Sequence, residues 1–244
     1  MGEDVLFIYI NENFSDDKRG FVINRAEIGE KFYYEIVFGK PVTKAAAHRA
    51  LRRLDDRLPI AYGGELKSSY NHRILPTDNF RLLLLCNGFS HICKGSEKAL
   101  IVDTYGTLCD YLYMPLTAVR TLYILTKRPD IYDRWNEAAL RNFGTSAVLF
   151  SSARGIHNFQ AVLSPFGDLE VEERSLPFLF GKNGWDVTCG PVLVRGEEKS
   201  FLLMNAFYNL KMEKSVLGAV PQNFTKDGKT LPTAALKLRL DSVV

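Results

Sequence analysis

Three side chains in this sequence have the types and the order needed to build a nucleophilic centre. His48 lies in "VTKAAAHRALRRLDD" (Val42 to Asp56), Asp103 follows the apolar run of "ALIVDT", and Cys189 sits in "DVTCGPVLV". In such a centre an imidazole takes the proton of the thiol and a carboxylate holds that imidazole in one tautomer. Two backbone N–H groups then stabilise the oxyanion as it forms.

The order His48, Asp103, Cys189 and the separations suit a trypsin-fold cysteine protease, and the segment around His48 resembles the catalytic-histidine segment of such proteases. The local sequence argues against the assignment. The oxyanion hole would need the N–H of Cys189 and of the residue two before it, Val187, whose β-branched side chain disfavours the positive φ that glycine supplies there. Pro191, two residues on, has no N–H to give. His48 falls inside a basic helical segment with no carboxylate at its side. The plain readings are a helix-surface histidine and a buried strand thiol.

A second chemistry is a metal-free phosphodiesterase using His, Tyr and Lys. Read as helix, "YILTK" places Tyr123 and Lys127 one turn apart, with His72 or His91 as the base. Walker, dinucleotide-fingerprint and HExxH patterns are absent from the sequence. Cys86, Cys93, Cys109 and Cys189 form no CxxC pair and no zinc spacing, so they read as buried thiols of a reducing compartment. The reading therefore expects no catalytic residue, no metal and no required cofactor.

The elements that would position these residues are read from apolar periodicity. "VLFIYI", "FVIN" and "KFYYEIVFG" read as strands. A helix is expected over 43–58, with Thr43 as N-cap and Pro59 as its stop. "FRLLLLCN" reads as a strand buried on both faces, and "EKALIVDT" as another. Helical structure is expected over 115–143, with Pro115 at its start, Pro129 interrupting and Gly144 as its stop. The remainder reads as strands: "SAVLFS", "NFQAVLS", "LEVEE", "LPFLF", "VLV", "SFLLMNAFYNL" and "ALKLRL", with turns at "PFGD", "GKNG" and "KDGK". Together they predict one domain over 1–244, an antiparallel, jelly-roll-like β-sandwich with peripheral helices.

Of the 244 residues 46% are hydrophobic and 24% charged, enough for a large core. The net charge of +3 gives no electrostatic case for nucleic acid or an anionic membrane as partner. Asp55 and Asp56 also dilute the arginines of "RALRRLDDR".

The order of features in residues 5–105 resembles the polyhedrins of insect cypoviruses, which form intracellular occlusion crystals. "LFIYI" leads to a Phe14-Ser15-Asp16 turn and to "VIN" followed by Arg25. The basic "RALRRLDD", then Gly63-Gly64, a connection holding His72, "FRLLLLC" and "CKGSEKALIVD" complete the series. The resemblance implies a structural protein that assembles with itself, as trimers and then a lattice, around virus particles in the cytoplasm of the infected host cell. It also implies that nucleotides can lodge in such a lattice. Arg49, Arg52, Arg53 and Arg57 are the expected assembly contacts. Tyr33, Tyr34, Tyr111 and Tyr113 are the expected alkaline-release groups, since ionised tyrosines and neutralised lysines would turn the subunits mutually repulsive.

Overall fold

A computed structural model describes residues 5–16, 19–152, 158–168, 176 and 178–242. It is a mixed α/β fold rather than an antiparallel sandwich, and its two larger sheets are built mainly or wholly from parallel pairs. The chain divides into two compact units, residues 1–77 with 200–216, and residues 78–199 with 217–244.

The first unit is organised on β1 (Val5–Asn11), where Phe7, Ile8, Tyr9 and Ile10 are all buried, so both faces of the strand are covered. β2 (Phe21–Ile28) and β3 (Lys31–Phe38) form an antiparallel hairpin, and β3 lies parallel to β1. α1 (Lys44–Leu51) opens on the predicted cap: Thr43 Oγ1 accepts from the Ala46 N–H at 3.2 Å. It stops at Leu51 instead of reaching Leu58. Asp55 accepts from both the backbone N–H and the guanidinium of Arg57, a local alternative that competes with helical bonding. Ala47, Ala50 and Leu51 pack with Ile8, Ile10, Ile36 and Phe38, and with Ile60 of β4 (Ile60–Ala61). α2 (Ser68–Asn71) is a single turn.

The second unit begins with α3 (Asp78–Ile92). "FRLLLLCN" belongs to this helix, not to a strand. Phe80, Leu83, Leu84, Leu85, Cys86, Phe89 and Ile92 are buried around its circumference, so apolar residues persist on every face. A run without periodicity fits a fully buried helix as well as a buried strand, and only length separates them. After it come β5 (Lys98–Val102), α4 (Tyr113–Ala118), β6 (Thr121–Leu125), α5 (Pro129–Phe143), β7 (Val148–Phe150), β8 (Ala161–Ser164) and β9 (Phe178–Gly181). The helical block expected over 115–143 is thus split by a strand. Its end is as predicted: Gly144 adopts φ 70° as a left-handed cap. The five strands form one all-parallel sheet in the order β7-β6-β5-β8-β9. "LEVEE" falls mostly outside the described residues.

β10 (Asp186–Val187), β11 (Val192–Val194) and β12 (Glu197–Lys199) are short strands of small antiparallel sheets. α6 (Phe201–Asn209) returns to the first unit; "SFLLMNAFYNL" is helical, capped by Ser200, whose hydroxyl also accepts from Tyr9 Oη at 2.9 Å. Phe207 meets Phe7 and Tyr33 edge-on, covering the second face of β1. β13 (Val220–Pro221), β14 (Asn223–Lys226), β15 (Lys229–Pro232) and α7 (Thr233–Asp241) complete the second unit, so "ALKLRL" is helical as well.

Candidate functional site

The parallel sheet has one topological switch point. From β5 the chain winds outward through β6 and β7, then crosses to the other side of β5 for β8 and β9. In open parallel sheets the loops leaving β5 and β8 diverge there, and ligands bind in the crevice this opens at the carboxyl ends of the strands. A cavity of about 510 Å³ lies at this place. Thr107 and Tyr111 reach it from the loop after β5, Pro165 and Phe166 from the turn after β8, and Lys182 from the turn after β9. The opposite wall is the first turns of α3, through Asp78, Arg81, Leu82 and Leu85, with Asp186 beside them.

Asp103 anchors the first of these loops. It follows β5 directly, is wholly buried, and is saturated by donors. Oδ1 accepts from the N–H groups of Gly106 and Thr107 and from Thr107 Oγ1, each at 3.1 Å. Oδ2 accepts from Leu108 N–H at 2.8 Å and from Tyr132 Oη at 2.5 Å. Five donors on one carboxylate fold "DTYGTL" into a fixed turn, and so set where Thr107 and Tyr111 stand. Tyr132, on α5, is buried, and its phenol is pushed far up by desolvation and then by the Asp103 charge.

The turn after β9 is fixed by backbone approach. Gly181 sits at φ 103°, and an added Cβ would stand 2.4 Å from the Ser164 carbonyl oxygen. The Gly181 N–H donates to Trp185 O and the Gly184 N–H to Gly181 O, which closes "GKNG" into a tight turn presenting Lys182. Within the crevice Arg81 Nη2 pairs with Asp186 Oδ2 at 2.9 Å, while Arg81 Nε is buried with no acceptor among the described residues. Lys182 has no ion-pair partner among them.

The three residues of the nucleophilic centre read from the sequence fall in different units. His48 belongs to the first unit; Asp103 and Cys189 belong to the second. His48 is buried rather than on the helix surface, and its Nε2 accepts the Lys67 N–H at 3.0 Å. Desolvation, with Lys67, Arg52 and Lys44 nearby, holds its imidazole below the ordinary range. Cys189 is exposed, not a buried strand thiol, whereas Cys86 and Cys93 are buried as expected. Cys109 is half-buried, and desolvation pushes its thiol up to about 11, away from the thiolate.

Tyr123 and Lys127 do not share a helical face. Tyr123 lies in β6 with its ring against Phe150 and Phe159, and Lys127 follows that strand. His72 ends α2 and His91 lies near the end of α3, in different units. Among the described residues no cluster of His, Cys, Asp and Glu could hold a metal ion. No described helix is long and apolar enough to cross a membrane.

Of the residues expected at assembly contacts, Arg49, Arg52, Arg53 and Arg57 are exposed. Arg53 lies over the Phe21 ring and Arg57 pairs with Asp55. Tyr111 lines the crevice, Tyr113 packs against Trp135 and Phe143, and Tyr34 lines a smaller recess with Arg53.

Tyr33 stacks on Phe7, and desolvation followed by the Glu35 charge raises its phenol. Tyr9, Tyr62 and Tyr132 are raised too, chiefly by desolvation, as are the thiols of Cys86 and Cys93. These groups are neutral when protonated, and their folded-state values lie above the unfolded ones. The stability they contribute is complete below the unfolded values and is lost as pH rises past them. A series of urea denaturations from pH 7 to pH 11 should therefore show a plateau and then a steady loss of stability above about pH 9–10.

The crevice residues Arg81, Lys182, Asp78, Asp186 and Phe166 were not singled out from sequence. For Phe166 and Lys182 a signal was present as two turns, "PFGD" and "GKNG", each following a short, wholly buried strand of the kind that fills a parallel sheet.

No family model matches the sequence. None of the curated proteins matches it. Among solved structures the chain is similar to L-tryptophan dehydrogenase from Nostoc punctiforme, at 13% identity and a TM-score of 0.28. The match covers 73% of this chain and 59% of the dehydrogenase, so the chain spans less than two thirds of that protein's length. A likeness of this size leaves function to the chain's own residues.

Proposed function

We propose that the protein is a small-molecule-binding α/β protein that takes an organic anion in the switch-point crevice of its second unit. The observation that carries this reading is the convergence of three strand-end loops and the start of α3 on one cavity, with Arg81 and Lys182 in its wall. Its size is that of an ordinary metabolite site. The ammonium of Lys182 supplies positive charge, Arg81, paired with Asp186, adds its remaining N–H donors, and α3, a fifteen-residue helix, opens its N-terminal end on the same side. Leu82, Leu85, Pro165 and Phe166 offer an apolar wall, while Asp78 and Asp186 are placed to accept from a donor on the ligand. A ligand with a phosphate or carboxylate on a flat apolar body matches this lining.

The reading is one of binding. The described lining holds no histidine or cysteine, and the buried carboxylate of Asp103, at the start of the crevice loop, is fully occupied in holding that loop. Self-assembly into an occlusion lattice is what the resemblance over residues 5–105 implies, and it is a reading separate from this crevice.

Phenyl phosphate is a suitable probe, because it pairs a dianion with one aromatic ring. It should raise the thermal unfolding temperature, while benzyl alcohol at the same concentration should not. Lys182→Met removes an exposed charge that has no ion-pair partner among the described residues, so it should leave the free protein's unfolding nearly unchanged and weaken the probe about tenfold. Equal responses to the two compounds, or to the two proteins, would overturn the reading.

A further inference from the structure

The outer edge of β2 belongs to a different unit from the crevice and is read independently of it. β2 stands at the end of the order β2-β3-β1-β4, eight residues long, and pairs with β3 on one side only. No described strand pairs with its other side. Its ladder with β3 is regular from Phe21 to Ile28, with no bulge or proline to blunt the edge.

The hairpin register fixes which groups face outward. Ile28 and Lys31 close a two-residue turn as a hydrogen-bonded pair. By the alternation of an antiparallel ladder, Ala26, Asn24 and Val22 also bond to β3. Phe21, Ile23, Arg25 and Glu27 then turn their backbone N–H and C=O groups to the open edge. Arg25 and Glu27 are exposed, opposite in charge and on one face of the sheet. The Arg25 guanidinium lies 3.5 Å from the ring centre of Phe32, the residue paired with Glu27, so in the single chain it leans over β3 and reaches a partner by swinging outward.

We propose that β2 pairs antiparallel with β2 of a second copy of this chain, centred on Ala26, so that the two four-stranded sheets become one. In this register Arg25 of each copy stands opposite Glu27 of the other, and both pairs use the outward-facing backbone groups. The neighbouring registers lack this match. Centring one step nearer the strand start sets Arg25 against its own copy, and the next sets Arg25 against Ile23 and Glu27 against Phe21. The contact is two-fold and self-complementary, as a closed dimer requires. Ala26 then meets Ala26 in the close, non-hydrogen-bonded position, where two small side chains fit.

Sedimentation velocity across a concentration series tests this. The unaltered chain should pass from monomer to dimer. Arg25→Glu and Glu27→Arg each turn two attractive pairs into two repulsive ones and should raise the dissociation constant about tenfold or more. The double variant Arg25→Glu with Glu27→Arg should restore it. A second readout does not depend on charge: in a Cys189→Ser background, Ala26→Cys should cross-link to a disulfide dimer under mild oxidation, and Asn24→Cys should not. A chain that stays monomeric, a dimer indifferent to the single reversals, or a double variant that stays weak would each overturn the proposal.

Discussion

Replacing Asp103 by alanine is expected to cost about 3–5 kcal/mol of unfolding free energy, one of the two largest losses anticipated from any single substitution in this chain. The change strands three backbone N–H groups, those of Gly106, Thr107 and Leu108, and the hydroxyls of Thr107 and Tyr132. Each donor left unpaired away from water carries a desolvation penalty, and the charged acceptor that served all five is gone. Asp103→Asn should cost less but remain destabilising, because its NH₂ brings donors to a site that already has donors on both sides. Tyr132→Phe should cost about 1–2 kcal/mol, since it removes one donor and leaves four. Urea denaturation measures these as a falling midpoint at constant slope. The sign is informative: a carboxylate kept for catalysis often destabilises its fold, so its removal leaves stability unchanged or raises it. An Asp103→Ala protein as stable as the parent would reopen a chemical role for this residue.

Gly181→Ala is the second large effect, expected at about 3 kcal/mol or more. Its φ of 103° lies where an L side chain is strained, and its Cβ would press on the Ser164 carbonyl oxygen and on Pro165 Cα. The obstacles are backbone atoms at the paired ends of β8 and β9, so neither can swing aside as a flexible side chain would. Relief requires the two strand ends to part, and these carry Phe166 and Lys182 into the crevice. Gly181→Ala should therefore lower the thermal midpoint and weaken the binding of phenyl phosphate together. Gly196→Ala makes a useful contrast. It also has a positive φ, but its Cβ meets nothing within 4 Å, so it should show only the conformational part of the cost.

Strand content was legible in the sequence where the apolar run is short and rich in β-branched or aromatic residues, as in "VLFIYI", "KALIV" and "AVLS". The assignments failed where apolar residues cover a whole segment. "FRLLLLCN" and "SFLLMNAFYNL" carry no period because α3 and α6 are buried widely around their circumference, so periodicity had nothing to act on. That misreading propagated. With α3 and α6 taken as strands, the strands outnumber the helices and an antiparallel sandwich follows. Read as helices they lie among β strands whose continuous apolar runs belong in a parallel sheet.

The chemistry was legible one residue at a time but not as a site. Asp103 stood out for what it is, a carboxylate at the end of a buried strand, yet its partners are backbone N–H groups and Tyr132, twenty-nine residues away. Arg81 and Lys182 are separated by about a hundred positions, and only the strand order β7-β6-β5-β8-β9 brings both to one cavity.

Binding of a small organic anion in this crevice is checked residue by residue by titrating the ¹⁵N-labelled chain with phenyl phosphate and following backbone amide shifts. Saturable shifts are expected, centred on Thr107, Tyr111, Phe166 and Lys182 and on the first turns of α3 from Asn79 to Leu82, and much reduced in Lys182→Met. Shifts that do not saturate, that scatter over the exposed arginines of residues 49–57, or that persist unchanged in Lys182→Met would contradict it.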